Sequence, residues 1–295
     1  MKKIVFAIII LVIPTFCFAK TLPTRFPFEN NEYVYKVYYS DFPNPGFSFE
    51  FKDNTISLDI PETDSAKHEE GIYIRERVTY PYKIKQNKDF LYLYTEANKY
   101  LVLYYEDLIC ILVDCKDYTT YCGVAKNSSY VQLSKRNRLR DVWIGIEDIN
   151  SSRFLQTSSF LQEELNRKSI KYDGLNDYMW QIQKPWCEGV KGNGIGEWIQ
   201  KTFFHKGDKI ILLNGYINPN HPDYYYKNGR IKDINIITEK SDEVFTLKDI
   251  PQLQVIDLDK EVEGNIKLII KSVYDGKQYQ DTCLSFFCLL TSRVD

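Results

Sequence analysis

Short apolar runs, each ended by a cluster of Gly, Pro, Asn, Asp or Lys, recur from residue 71 almost to the C-terminus, and this punctuation restricts the fold more than any other feature. The stretch "IYIRERVTYPYKIKQNKDFLYLYTEANKYLVLYYEDLICILVDC" contains four such runs. Others follow at "EWIQKTFF", "KIILLNGYI", "IKDINIITE", "EVFTLKD", "LQVIDL", "NIKLIIKSVYD" and "TCLSFFCLL". They are rich in Val, Ile, Tyr and Phe and too short for amphipathic helices, so they read as strands. The expected fold class is therefore mainly β. Residues 20–150 are read as a small all-β N-terminal domain of unassigned role, with "VYKVYYS" and "FSFEFKD" flanking the turn "DFPNPG" and a β-meander after them. Residues 151–295 are read as an antiparallel β-sandwich of seven short strands, the boundary falling near Asn150, where a polar "NSS" follows a strand-like run. At the start of this second unit, ahead of the strands, "SFLQEELNRKSIKYDGLNDYMW" reads as helical or irregular.

The N-terminus carries Lys2 and Lys3, an apolar run from Ile4 to Val12, and the small-residue ending Cys17-Phe18-Ala19. That is the grammar of a secretory signal peptide, so residues 1–19 are expected to be removed and the remainder exported to the periplasm, the surface or the medium. A lipid anchor at Cys17 fits less well, because bulky Phe16 precedes it. The apolar run falls short of the roughly 20 residues a membrane helix needs, and no integral membrane span is expected after signal removal.

Two of the 38 basic residues lie in the signal, leaving 36 against 40 acidic ones. That balance lacks the basic footprint of a nucleic-acid binder. The cluster Lys135, Arg136, Arg138 and Arg140 reads as a solvated loop rather than an anion site. Six of the seven cysteines remain, with no C-x-x-C pair and three scattered histidines, so a zinc site is not expected and no cofactor is implied. An exported chain permits disulfides. Cys115 and Cys122 bracket "KDYTTY" and are either a local disulfide or two loop thiols, while Cys110 reads as a small core residue.

The densest chemistry lies in "PWCEGVKGNGIGEW", residues 185–198. A phosphate cradle is excluded on context: Gly192, Gly194 and Gly196 would need a helix to follow, yet Glu197-Trp198-Ile199 continues as a strand. A glycan hydrolase would use Glu188 with Glu197 or Asp281 as its carboxylate pair. No G-x-S-x-G, H-E-x-x-H or Cys-His pairing points to other chemistry. The remaining reading is a rigid loop bent by Gly189, Gly192, Gly194 and Gly196 and held by Trp186 and Trp198, with Glu197 anchoring it.

Five ordered blocks, "WCEGVKGNGIGEWI" (186–199), "IILLNGY" (210–216), "YYYKNGRIKDINI" (224–236), "LKDIPQLQVIDL" (247–258) and "VYDGKQYQDTCLS" (273–285), resemble the NADase-type glycan-binding domain. That family is discoidin-like, a galactose-binding-like jelly roll related to F5/8 type C domains, and includes the non-catalytic module of streptococcal NAD glycohydrolase. The resemblance implies a jelly-roll sandwich over 151–295 that binds a glycan or cell-surface ligand, a link to translocation, and no NAD cleavage. Phe286 stands where the family has Glu, and "YDGLNDYMWQIQKPW" is longer than the family's turn, so a calcium site like that of discoidin relatives is not carried over. Cys187 and Cys283 lie in the two most motif-like blocks and are either bonded or two buried thiols.

The residues expected at the ligand are Trp186, Glu188, Asn214, Tyr216, Tyr224, Tyr225, Asn228 and Arg230, with aromatic rings for sugar faces and amide or guanidinium groups for hydroxyls. Gly189, Gly192, Gly194, Gly196, Glu197, Trp198 and Asp281 form the scaffold. The alternative is that the tyrosines pack and Arg230 pairs with Glu188 or Glu197. Three function classes follow: an exported, non-catalytic carbohydrate-binding protein, a secreted glycan hydrolase, or a structural protein contacting envelope proteins.

Overall fold

The computed structural model describes residues 26–34, 48–61, 75–125, 142–147, 155–165, 168–174, 182 and 184–294. The expected signal segment and the basic cluster at 135–140 lie outside the described residues. Among the described residues strands predominate against one short helix, as the mainly-β expectation requires.

The first sheet contains β1 (Glu32–Val34), β2 (Ser48–Lys52), β3 (Thr55–Pro61), β4 (Arg75–Pro81), β5 (Lys83–Asn87), β6 (Phe90–Tyr94), β7 (Lys99–Tyr105), β8 (Ile109–Asp114) and β9 (Thr120–Ala125). It is antiparallel in the order β4-β3-β2-β1-β9-β8-β7-β6-β5. Strands β4 and β5 occupy opposite edges although Tyr82 alone separates them in the chain. One extended run thus pairs with β3 through its first half and with β6 through its second. The sheet curls to allow this, and the rings of Phe51 and Tyr82 meet at 5.6 Å.

After it come β10 (Val142–Glu147), β11 (Leu155–Thr157), β12 (Leu161–Leu165), β13 (Lys168–Tyr172), β14 (Trp186–Cys187), β15 (Trp198–Asn214), helix α1 (Asp223–Lys227), β16 (Gly229–Ile237), β17 (Asp242–Thr246), β18 (Leu253–Tyr274) and β19 (Thr282–Val294). The second sheet runs β10-β19-β15-β18-β16-β17, with β11 on β15 and β14 on β19. The change of sheet falls between Ala125 and Val142, ahead of the break expected near Asn150, because β10 pairs with β19.

Two expectations are corrected. The segment read as helical or irregular forms the hairpin β12–β13, with Leu161 opposite Tyr172 and Leu165 opposite Lys168; its charged residues hide the period-two alternation of a ribbon that is largely exposed. The seven short strands are fewer and longer. "EWIQKTFF" and "KIILLNGYI" are halves of β15, and "LQVIDL" and "NIKLIIKSVYD" are halves of β18, since the polar stretches between them form bulges rather than reversals. At the β15 bulge a Cβ on Gly207 would lie 2.3 Å from the Leu290 carbonyl oxygen.

Burial explains the unbroken apolar runs. On β6–β8, Phe90, Tyr92, Leu101, Leu103, Ile109, Ile111 and Val113 face one way, while Leu91, Leu93, Tyr100, Val102, Cys110 and Leu112 face the other, into the curl of the first sheet. The first set packs against Ile211, Leu213, Leu253, Phe286, Cys288 and Leu290 of the second sheet in one continuous core. The opposite faces of β15 and β19 contribute Ile210, Leu212, Phe287 and Leu289 to the interior of the sandwich. Central strands of both sheets are therefore buried on both sides, which removes the polar alternate positions. Polar contacts seal the same junction: Gln252 accepts from the Tyr104 amide at 3.0 Å and Tyr226 donates to Asp89 at 2.5 Å.

Candidate functional site

The glycine-rich loop is a fastened scaffold. β14 lies antiparallel to β19 with Trp186 opposite Leu284 and Cys187 opposite Cys283. The two cysteines are disulfide-bonded across that pair. Cys115 and Cys122 are not joined to each other, correcting the local bridge: Cys122 points into the shared core of β9 and Cys115 is half-buried. Beside the disulfide, Glu188 is fully buried and accepts from the backbone amides of Thr282 at 3.1 Å and Val190 at 2.9 Å. Burial raises its pKa, and those two amides oppose the rise. Gly194 has φ +68°, and a Cβ there would lie 2.3 Å from Glu188 Cγ, so this turn admits only glycine without a shift. Glu197 accepts from the hydroxyls of Ser158 and Ser159, Trp186 donates its indole N–H to the Ser159 carbonyl at 2.8 Å, and Trp198 is capped by Lys267, 3.8 Å from its ring centroid.

A second expected group is also inward. Arg230, buried on β16, donates to both carboxylate oxygens of Asp249 at 3.1 and 2.8 Å and to the carbonyls of Asn228 and Asp275. Burial works against its charge, and the Asp249 carboxylate more than offsets this, leaving its pKa raised. Tyr225, 1% exposed, donates to the same carboxylate at 2.8 Å, and burial followed by Asp249 raises its pKa. Asn214 is paired through its amide with the backbone of Ile231, and the Asn228 amide donates to the Tyr224 carbonyl. The partner of Arg230 is thus Asp249, not Glu188 or Glu197. Of the expected binding set, Trp186, Glu188, Asn214, Tyr225, Asn228 and Arg230 are thus buried, their polar groups engaged by the protein itself.

What faces outward is a row of rings. Tyr216, in the loop after β15, meets Tyr172 of β13 at 6.0 Å and Tyr224 of α1 at 5.1 Å, both edge-on. His221 stacks on Tyr224 at 4.8 Å and 11°. The three tyrosines are half-buried and His221 is exposed. Tyr172 donates to Glu163 at 3.2 Å and is hydrogen-bonded to Tyr216, tying the row to the hairpin. Burial, then Tyr172, lifts the Tyr216 phenol above its ordinary range. Asp281 is half-buried, its pKa raised by burial and further by Glu163.

The loop is held from beneath by the first sheet. Tyr92 donates to the Pro219 carbonyl at 3.1 Å, and Asn220 donates to the Cys115 carbonyl at 2.7 Å and to the Tyr118 hydroxyl at 3.2 Å. Asn218 folds the turn by accepting from the amides of Asn220 and His221. Of this row the sequence points to Tyr216 and Tyr224; Tyr172 and Glu163 lie in the segment that reads as helical or irregular, and His221 beyond the turn at Pro219, so pattern alone does not single them out. The pattern "KSIKY" in β13 was the available signal for Tyr172.

Residues 148–288 match the family described as the NAD glycohydrolase translocation F5/8 type C domain. Among solved structures, the CBM32-1 module of a family 31 glycoside hydrolase from Clostridium perfringens aligns at 12% identity over 48% of this chain and 97% of its own, TM-score 0.32. The Streptococcus pyogenes NAD+-glycohydrolase translocation domain aligns at 21% identity over 38% of this chain and 96% of its own, TM-score 0.26. A structure described as a glycoside hydrolase covers 85% of this chain and 69% of its own at 7% identity, TM-score 0.26. No curated protein matches the chain. No helix among the described residues is long and apolar enough to cross a membrane.

Proposed function

We propose that this is an exported, non-catalytic binding protein in which hairpin β12–β13, the loop after β15 and α1 present a glycan-binding ledge formed by Tyr172, Tyr216, Tyr224 and His221. The observation that carries the reading is the contrast in burial. The polar groups first suspected of ligand contact are buried and hydrogen-bonded, whereas three half-buried tyrosines and the exposed His221 adjoin at the surface. Ring edges and faces at such spacing suit the C–H faces of a sugar, and the phenol hydroxyls and imidazole supply hydrogen bonds at the rim. The match of residues 148–288 to a translocation-domain family supports a binding or translocation role for the same segment.

The hydrolase reading is less well supported. Glu188 faces backbone amides under the glycine turn, and Glu197 is held by two serine hydroxyls, so neither carboxylate stands ready across an open cleft.

The test is a glycan array probed with the full exported chain and with Tyr216→Ala and Tyr224→Ala, each checked for an unchanged melting temperature. Selective binding by the parent that falls about tenfold or more in the variants supports the ledge. A folded parent that binds no glycan overturns the proposal.

A further inference from the structure

The ledge carries a charge pattern that narrows its ligand. At the β12–β13 end, Glu163 accepts from Tyr172 at 3.2 Å and is itself exposed, so one carboxylate oxygen remains available at the rim. At the other end Lys227, with Nζ 5.8 Å from the Tyr224 centroid, is already paired with Asp223 at 2.7 Å. Electron-rich rings flanked by a carboxylate, with the adjoining cation neutralised in place, are complementary to a positive group. An anionic sugar would instead meet the Glu163 carboxylate head-on.

We infer that the ligand bears a charged amine, and that the ledge selects an amino-sugar glycan by placing its ammonium between the Tyr172 and Tyr216 rings and the Glu163 carboxylate. This rests on the glycan reading above and adds to it the class of sugar. Glu163 is the specificity-determining residue. Its exposed position makes the preference sensitive to salt, whereas ring stacking on a neutral sugar is not.

The experiment titrates the full exported chain calorimetrically with oligomers of glucosamine and galactosamine and with their N-acetylated counterparts of equal length. The free-amine oligomers are expected to bind about tenfold more tightly or better, and the ratio is expected to shrink in Glu163→Gln and with added salt. Glutamine keeps an oxygen to accept from Tyr172, so the variant removes charge without removing that bond. N-acetylated oligomers binding as well or better would overturn the inference and leave the glycan reading standing, as would array glycans binding when neither amine oligomer does. A free-amine preference unchanged in Glu163→Gln would overturn the assignment to this ledge. Failure of every glycan in both experiments would remove the two proposals together.

Discussion

Leu103→Ala tests whether the two sheets form one cooperative structure. Leu103 has no solvent exposure and lies in the core shared by both sheets, on β7 opposite Ile111. The substitution removes three carbons, about 2.4 kcal/mol at roughly 0.8 kcal/mol each. The cavity left between two packed layers raises the loss to about 3–4 kcal/mol. All four tryptophans, Trp143, Trp180, Trp186 and Trp198, follow the first sheet in the chain. Guanidinium unfolding followed by tryptophan fluorescence therefore reports on the second sheet, although the mutation is in the first. A shared core demands that this transition move to lower denaturant, by on the order of half a molar, together with the far-UV circular dichroism transition. A tryptophan transition that stays in place while the dichroism splits into two steps would refute the reasoning.

The Cys187–Cys283 disulfide closes a separation of 96 residues, so replacing both cysteines by serine is expected to cost about 4–5 kcal/mol, read from denaturant midpoints of the oxidised parent and the variant. Asp249→Asn leaves the Arg230 guanidinium buried without its charge partner, and about 2 kcal/mol of stability should be lost at neutral pH. Asp249 is the group whose folded-state pKa is lowered: burial opposes the shift, and Arg230 and Tyr225 outweigh it. Its contribution is therefore present above the ordinary carboxylate value and lost as pH falls through the lower folded value. The difference in melting temperature between parent and Asp249→Asn should narrow in that acid window; a gap that stays constant down to it would contradict the pairing.

Much of the framework was legible in the chain. The mainly-β class followed from run length and β-branched content, and the sandwich from five ordered blocks that the family match at 148–288 covers. Strand lengths were less legible, because a glycine and charged residues at a bulge look like those at a turn; only the register across β15 and β18 separates the two. The hairpin β12–β13 escaped because an exposed ribbon carries charges at most positions and loses the hydrophobic period that marks a strand.

The three tyrosines of α1 mark where the sequence stops deciding. Tyr224, Tyr225 and Tyr226 are identical and consecutive, and the sequence determined their chemistry: a ring with a hydroxyl on a short turn after Pro222. A helix rotates each residue by about 100° from the last, so the three leave on different sides. Tyr225 enters the core and meets Asp249, Tyr226 reaches Asp89 of the first sheet, and Tyr224 joins Tyr216 and His221 on the ledge. Which side is core, which is junction and which is open depends on surfaces up to 137 residues away in the chain. Local pattern sets what a side chain can do; the packing of the two sheets decides whether it does so against protein or against a ligand.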